Sequence, residues 1–143
     1  MRGFLGDTNL FLEVLLNQEQ KSEAKKLIDF LVKKGRLFIS DFAFHTIGIK
    51  IWKTPNLSME EKENVWRAFV HDTHKIPILS LSPADMLHLA DNIKNYNLDF
   101  DDAYHLTLAV KYGLNLISND SDFGRVDIIT VYTISEALKY FSL

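Results

Sequence analysis

Short, wholly apolar runs alternate along this chain with longer stretches whose apolar residues recur every three or four positions. The first pattern suits strands buried on both faces, and the second suits helices that bury one side. Residues 3–6 form the first apolar run, and residues 8–16 follow with Leu10, Phe11, Val14 and Leu15 at helical spacing. Ser22 is placed to cap a second helix, EAKKLIDFLVKK, with Ala24, Leu27, Ile28, Leu31 and Val32 as its stripe and Gly35 as its stop. Leu37-Phe38-Ile39 reads as a second strand. The run from Asp41 to Trp52 is a helix apolar almost all round (Phe42, Phe44, Ile47, Ile49, Ile51), which predicts deep burial or an interface. Pro55-Asn56 breaks the chain, and Ser58 with Glu61 makes a capping box for a helix to about His71. Ile76–Leu81 is a third strand, and Ser82-Pro83 is the signature of a helix start running to about Lys94. After a turn at 95–99, a helix from Asp101 to Tyr112 ends at Gly113. Leu114–Ser118 and Ile128–Tyr132 are the last two strands, and Ser135 is placed to cap a final helix, EALKYF.

Strands alternating with helices predict an α/β fold: a central parallel sheet of about five short strands flanked by helices, three layers in all. At 143 residues, with no repeat, linker or low-complexity tract, the whole chain 1–143 reads as one domain. No apolar stretch reaches the ~20 residues of a membrane span, and MRGFLGDTN meets an acid before any signal-like apolar region. The absence of cysteine removes disulfides, thiolate metal sites and a cysteine nucleophile. Together these features predict a cytoplasmic protein without membrane contact.

A formal net charge of -3 argues against a generic binder of nucleic-acid phosphates, yet the charges are unevenly spread. Lys21, Lys25, Lys26, Lys33, Lys34 and Arg36 crowd the first third, and Asp85, Asp91, Asp99, Asp101, Asp102, Asp120, Asp122 and Asp127 crowd the last. The basic set reads either as a solvated helix face or as a rim that holds a phosphodiester beside an acidic centre. The acids fall where apolar runs give way to turns or helix starts: Asp7 after the first strand, Asp101-Asp102 opening a helix, Asp120 and Asp122 after the fourth strand. Taken singly, each is equally a cap or a turn residue. Taken together, four or five carboxylates at the ends of elements favour a hard divalent cation such as Mg²⁺ or Mn²⁺.

The segments LGDTNLFLEVL and LDFDDAYHLTLAVKYGLNLISNDSDF carry a resemblance. In order and spacing they resemble the PIN-domain family, nucleases that include the VapC-like toxins of bacterial toxin–antitoxin pairs. The resemblance implies a PIN-like fold with Asp7, Asp102 and Asp120 as catalytic metal-binding acids and Asp122 as an accessory ligand. It sets Ser118 at a small hydroxyl position, Asn9 at a supporting amide and Asp101 beside the helix acid. It implies hydrolysis of RNA with one or two Mg²⁺ or Mn²⁺ ions, a small antitoxin protein as partner, and a homodimer. The family's further glutamate, about five residues beyond a strand-end serine, is not here: that offset from Ser40 falls on His45, and Asp41 is the nearby carboxylate. His45 reads as a neutral ligand, a proton acceptor or a packed helix residue. Losing a negative ligand weakens Mg²⁺ binding, so the alternative is a catalytically weak module that binds RNA or a protein partner. The helix 41–52 and the aromatic stretch near Trp66 and Phe69 are the surfaces a partner or second copy would use.

Overall fold

The computed structural model describes residues 2–143. Five parallel strands, β1 (Phe4–Gly6), β2 (Leu37–Ser40), β3 (Ile78–Leu79), β4 (Asn115–Ile117) and β5 (Val131–Tyr132), lie in the order β3-β2-β1-β4-β5. Seven α-helices cover them: α1 (Thr8–Leu15), α2 (Lys21–Lys33), α3 (Asp41–Lys53), α4 (Met59–Thr73), α5 (Met86–Tyr96), α6 (Phe100–Tyr112) and α7 (Ile134–Phe141). This is the α/β sandwich the alternation predicts.

The two-residue period of a strand sends neighbouring side chains to opposite faces. Phe4, Leu37, Ile39 and Ile117 therefore enter a core shared with Leu10, Leu27, Leu31, Ile47, Phe69 and Ile134 from α1, α2, α3, α4 and α7. Leu5 and Leu116 enter a second core with Leu89, Leu106 and Leu108 from α5 and α6, and Phe38 packs against it. Helix ends follow local chemistry. Gly35 (φ +64°) and Gly113 (φ +66°) take the left-handed conformation that stops α2 and α6 and returns the chain to the next strand.

Several boundaries depart from the sequence reading. Ser22 lies inside α2, which starts at Lys21 without a side-chain cap. Ser82-Pro83 opens a turn rather than a helix; the Asp85 carboxylate accepts hydrogen bonds from the Ser82 N–H and hydroxyl at 2.8 Å, and α5 begins only at Met86. The third strand shrinks to Ile78–Leu79, because β3 is an edge pairing only with β2, and Pro77 offers just its carbonyl to Ile39 N–H. Thr133, not Ser135, caps α7, completing a capping box with Glu136. Helix α3 is not buried all round: Ile49 is 56% and Trp52 38% exposed. Phe69, in contrast, is buried within its own core and offers nothing to a partner. Among the described residues, no helix is long and apolar enough to cross a membrane.

The chain winds outward from β1 through β2 to β3, then returns to the other side of β1 for β4 and β5. The winding direction thus changes between β1 and β4, where open parallel sheets form a crevice at their carboxyl ends.

Candidate metal centre

Asp7 follows β1 directly, and its backbone N–H donates to the Ile117 carbonyl at 3.1 Å, fastening it to the end of β4. Its carboxylate caps α1 by accepting from Leu10 N–H at 3.1 Å. Ser118, the residue after β4, accepts from Asp120 N–H at 3.0 Å, and its side chain is near enough to Asp7 to favour the ionised carboxyl. Asp120 in turn accepts from Asp122 N–H at 2.9 Å and caps a 3₁₀ turn over Ser121–Arg125. Asp102 lies in the first turn of α6 and is buried. Capping therefore does not take these acids out of reach of one another: Asp7 and Asp120 each cap a helical turn and still face a common cleft.

These acids share one cleft of about 160 Å³. Its walls are Asp7, Thr8 and Asn9, then Asp101, Asp102 and His105 of α6, Asp120, and Phe42, Thr46 and Lys50 of α3. That is room for several waters at ~30 Å³ each, or for a cation with its oxygens. The Asp7 carboxyl is pushed up to about 6, chiefly by burial and further by the charge of Asp120, against the opposing Ser118 and Leu10 hydrogen bonds. Asp102 is also held well above the ordinary carboxylate range. Burial is the main cause, followed by the charges of Asp120 and Asp101, a hydrogen bond shared with Asp120, and the charge of Asp122. Buried carboxylates that resist ionisation together are what a divalent cation relieves. The donor set, carboxylates with a hydroxyl and an amide alongside, fits a hard ion. Asp102 also belongs to a second group: carboxylate oxygens of Asp99, Asp102 and Asp122 lie within 4.8 Å of one another. Asp122 thus meets Asp102 there and does not line the cleft.

Helix α3 corrects the expectation for His45. Residues four apart share a helix face, and Phe42, Thr46 and Lys50 are the α3 residues that line the cleft. His45 is exposed and lines a neighbouring groove with Asp41, Phe42, Thr46, Ile49 and Tyr104. The offset of five from Ser40 therefore points one residue short of the inward position, which Thr46 holds. Asp41, the nearby carboxylate, does not line the cleft and opens α3 just after its N-cap, Ser40. Ser40 caps the helix by accepting from Ala43 N–H at 2.8 Å, while Asp41 accepts from the Tyr104 hydroxyl at 2.7 Å and Phe42 N–H at 2.8 Å. Burial, then the bond to Asp41, pushes the Tyr104 phenol up to about 12, so it stays a donor.

Two residues of the site region escaped the sequence reading in their joint role. His105 Nε2 lies 2.7 Å from Ser40 Oγ, a buried contact at the floor of the cleft. Burial lowers the His105 imidazole, against the opposing Asp101 backbone carbonyl and the charges of Asp101 and Asp41, which keeps the ring neutral at pH 7. Ser40 then donates to Nε2 while accepting from Ala43 N–H. The predicted basic rim is not here: the lysines of α2 do not line the cleft, and Lys25 is paired with Asp29 at 2.9 Å. A groove of about 500 Å³ between Trp52, Trp66, Arg67 and His71 is larger, but its one acid, Glu63, is paired with Arg67.

The PIN domain family model matches residues 5–129. A search of curated proteins gives no match. Among solved structures, the fold is similar to VapBC2 from Rickettsia felis bound to a promoter DNA fragment, at TM-score 0.73 and 12% identity over 91% of this chain and 97% of that one. It is similar to DNA-bound VapBC from Salmonella typhimurium at TM-score 0.74 and 15% identity, covering 94% of this chain and 99% of the other. A toxin–antitoxin complex from Klebsiella pneumoniae matches at TM-score 0.71 and 20% identity over 92% and 98%.

Proposed function

The chain belongs to the PIN-domain family, and from that premise we propose that it is a metal-dependent ribonuclease, the cytoplasmic toxin of a toxin–antitoxin pair. The observation that carries this reading is the meeting of Asp7, Asp102 and Asp120 in one cleft at the carboxyl ends of β1 and β4. Asp7, Asp102 and Asp120 would hold Mg²⁺ or Mn²⁺, with Asp122 reaching Asp102 from outside. Such an ion lowers the pKa of a bound water and offsets charge on a phosphodiester. Ser118 aims the Asp7 carboxylate, and Asn9 and Asp101 frame the entrance. The neutral His105 holds the floor through Ser40 rather than adding charge.

The likeness to toxin–antitoxin complexes supports a small antitoxin protein as partner. The exposed Ile49 and Trp52 of α3 support a homodimer as a further association. One observation favours a second reading, a module that binds RNA or protein without cutting: α3 brings Thr46 and Lys50, and no carboxylate, to the cleft.

Incubation of the purified protein with single-stranded RNA in Mn²⁺, with EDTA and Asp7→Asn controls, separates the two. The nuclease reading expects cleavage in Mn²⁺ alone. It also expects a loss in Asp7→Asn of more than ~100-fold, because even outer-shell partners of a metal are worth ~10–100-fold. Equal background in all three samples sinks it and leaves the binding module.

A further inference from the structure

We propose that Lys50 grips a backbone phosphate of the substrate strand, as the lysine of a cleft that also gathers Asp7, Asp101, Asp102 and Asp120. This rests on the reading of the cleft as an RNA site. Three observations carry it. The i, i+4, i+8 spacing of Phe42, Thr46 and Lys50 turns Lys50 into the same cleft as Asp7, Asp101, Asp102 and Asp120. Lys50 is exposed, and its ammonium makes no ion pair or hydrogen bond with any described residue. No other lysine or arginine among the described residues lines the cleft, and several basic groups are committed elsewhere: Lys111 to Asp85 at 2.6 Å, Arg67 to Glu63 at 2.8 Å, Arg125 to the Tyr96 and Asn97 carbonyls, and Lys62 to the Trp52 carbonyl.

A chain of net charge -3 with its acids gathered in the cleft repels a polyanion. A divalent ion among several carboxylates offsets that only in part. An uncommitted lysine on the α3 wall supplies the missing attraction as a compact point charge with three donors. Thr46, one turn earlier on the same face, leaves the path from the Lys50 stem to the acids free of a further carboxylate. The alternative fate for Lys50, closing onto Asp101 or Asp120 to neutralise the cleft, predicts different behaviour on substitution.

The test is binding of a 5′-labelled single-stranded RNA followed by fluorescence anisotropy in Mn²⁺ over a KCl series. An Asp120→Asn background slows cutting, with position 50 as Lys, Arg or Gln. Calorimetric titration of Mn²⁺ into the protein and its Lys50→Gln variant, both with Asp120 intact, runs in parallel. Lys50→Gln is expected to weaken RNA binding several-fold and to flatten the slope of log K against log[KCl] by ~0.7, the worth of one single-strand phosphate contact. Lys50→Arg should restore both, and Lys50→Gln should bind Mn²⁺ as well as or better than the native chain. An unchanged slope in Lys50→Gln overturns the proposal, as does Mn²⁺ affinity falling in step with RNA affinity. If the native chain cuts RNA but the slope does not move, Lys50 fails and the nuclease stands. If the slope moves but nothing is cut, the phosphate contact stands and the nuclease fails. No RNA binding by any form overturns both.

Discussion

Ser118 stands between the two strand-end acids: its hydroxyl accepts from Asp120 N–H and favours the ionised form of Asp7. The Asp7 carboxyl it serves stands at about 6 when folded, against an ordinary value of 3.8. Between those values the folded chain keeps a proton that the unfolded chain has released. The stability this group contributes is therefore complete below about pH 4 and lost as pH rises through 6, a fall of about 3 kcal/mol. In EDTA, the urea midpoint of the native protein should drop from pH 4.5 to pH 7 relative to Asp7→Asn, which keeps the cap oxygen and loses the charge. Parallel pH profiles for the two would show that Asp7 is not buried as described. Ser40 carries a comparable load, bonding Ala43 N–H and His105 at once. Ser40→Ala should cost about 2–4 kcal/mol in chemical denaturation, a lost cap plus an unsatisfied buried imidazole. Strand-end aspartates were legible because polar residues after an apolar run have few places to go. The Ser40–His105 contact was not, because the two residues are 65 positions apart and only the packing of α3 beside α6 joins them.

At the scale of elements, helix faces and caps decide what the sequence discloses. The capping box of α4 was readable in full, Ser58 and Glu61 bonding reciprocally. In TISE both Thr133 and Ser135 are hydroxyls ahead of a helix, but only Thr133 has a glutamate three residues on. Thr133→Ala should accordingly destabilise by about 1 kcal/mol and Ser135→Ala by no measurable amount, read from thermal midpoints. Equal effects would put the cap back at Ser135. The pairing of α3 with α4 turns on Gly48, where an added Cβ would sit 3.0 Å from the Trp66 ring. Gly48→Val should lower stability by about 1–3 kcal/mol through overpacking, despite removing a helical glycine; a rise in the midpoint would mean the Trp66 ring yields freely. The His45 error is also one of helix geometry, since an error of one position turns a side chain by about 100°.

For the molecule as a whole, the alternation of strand and helix was enough to foretell a parallel sheet with both faces covered. Short strands gave little notice of where the edge strands begin, so the β3 and β5 regions came out shorter than expected. Strand order was out of reach of periodicity, which is silent on neighbours; the adjacency of β1 and β4 had to be seen. If the cleft binds Mn²⁺, a concentration of 100 times Kd should add about 2.7 kcal/mol to stability. For a domain of this size that is a rise of roughly 5–10 °C in Tm, absent from Asp7→Asn. No rise in the native protein would leave the acids without a cation. The pairing of β1 with β4 runs for only three residues, Phe4, Leu5 and Gly6 against Asn115, Leu116 and Ile117. So brief a match works as a ruler. One residue inserted after Leu5 would carry Asp7 on by ~3.3 Å and swing it to the opposite side of the sheet. Added length in a surface loop leaves that measure untouched, whereas a single extra residue within the central pair takes Asp7 away from the end of β4.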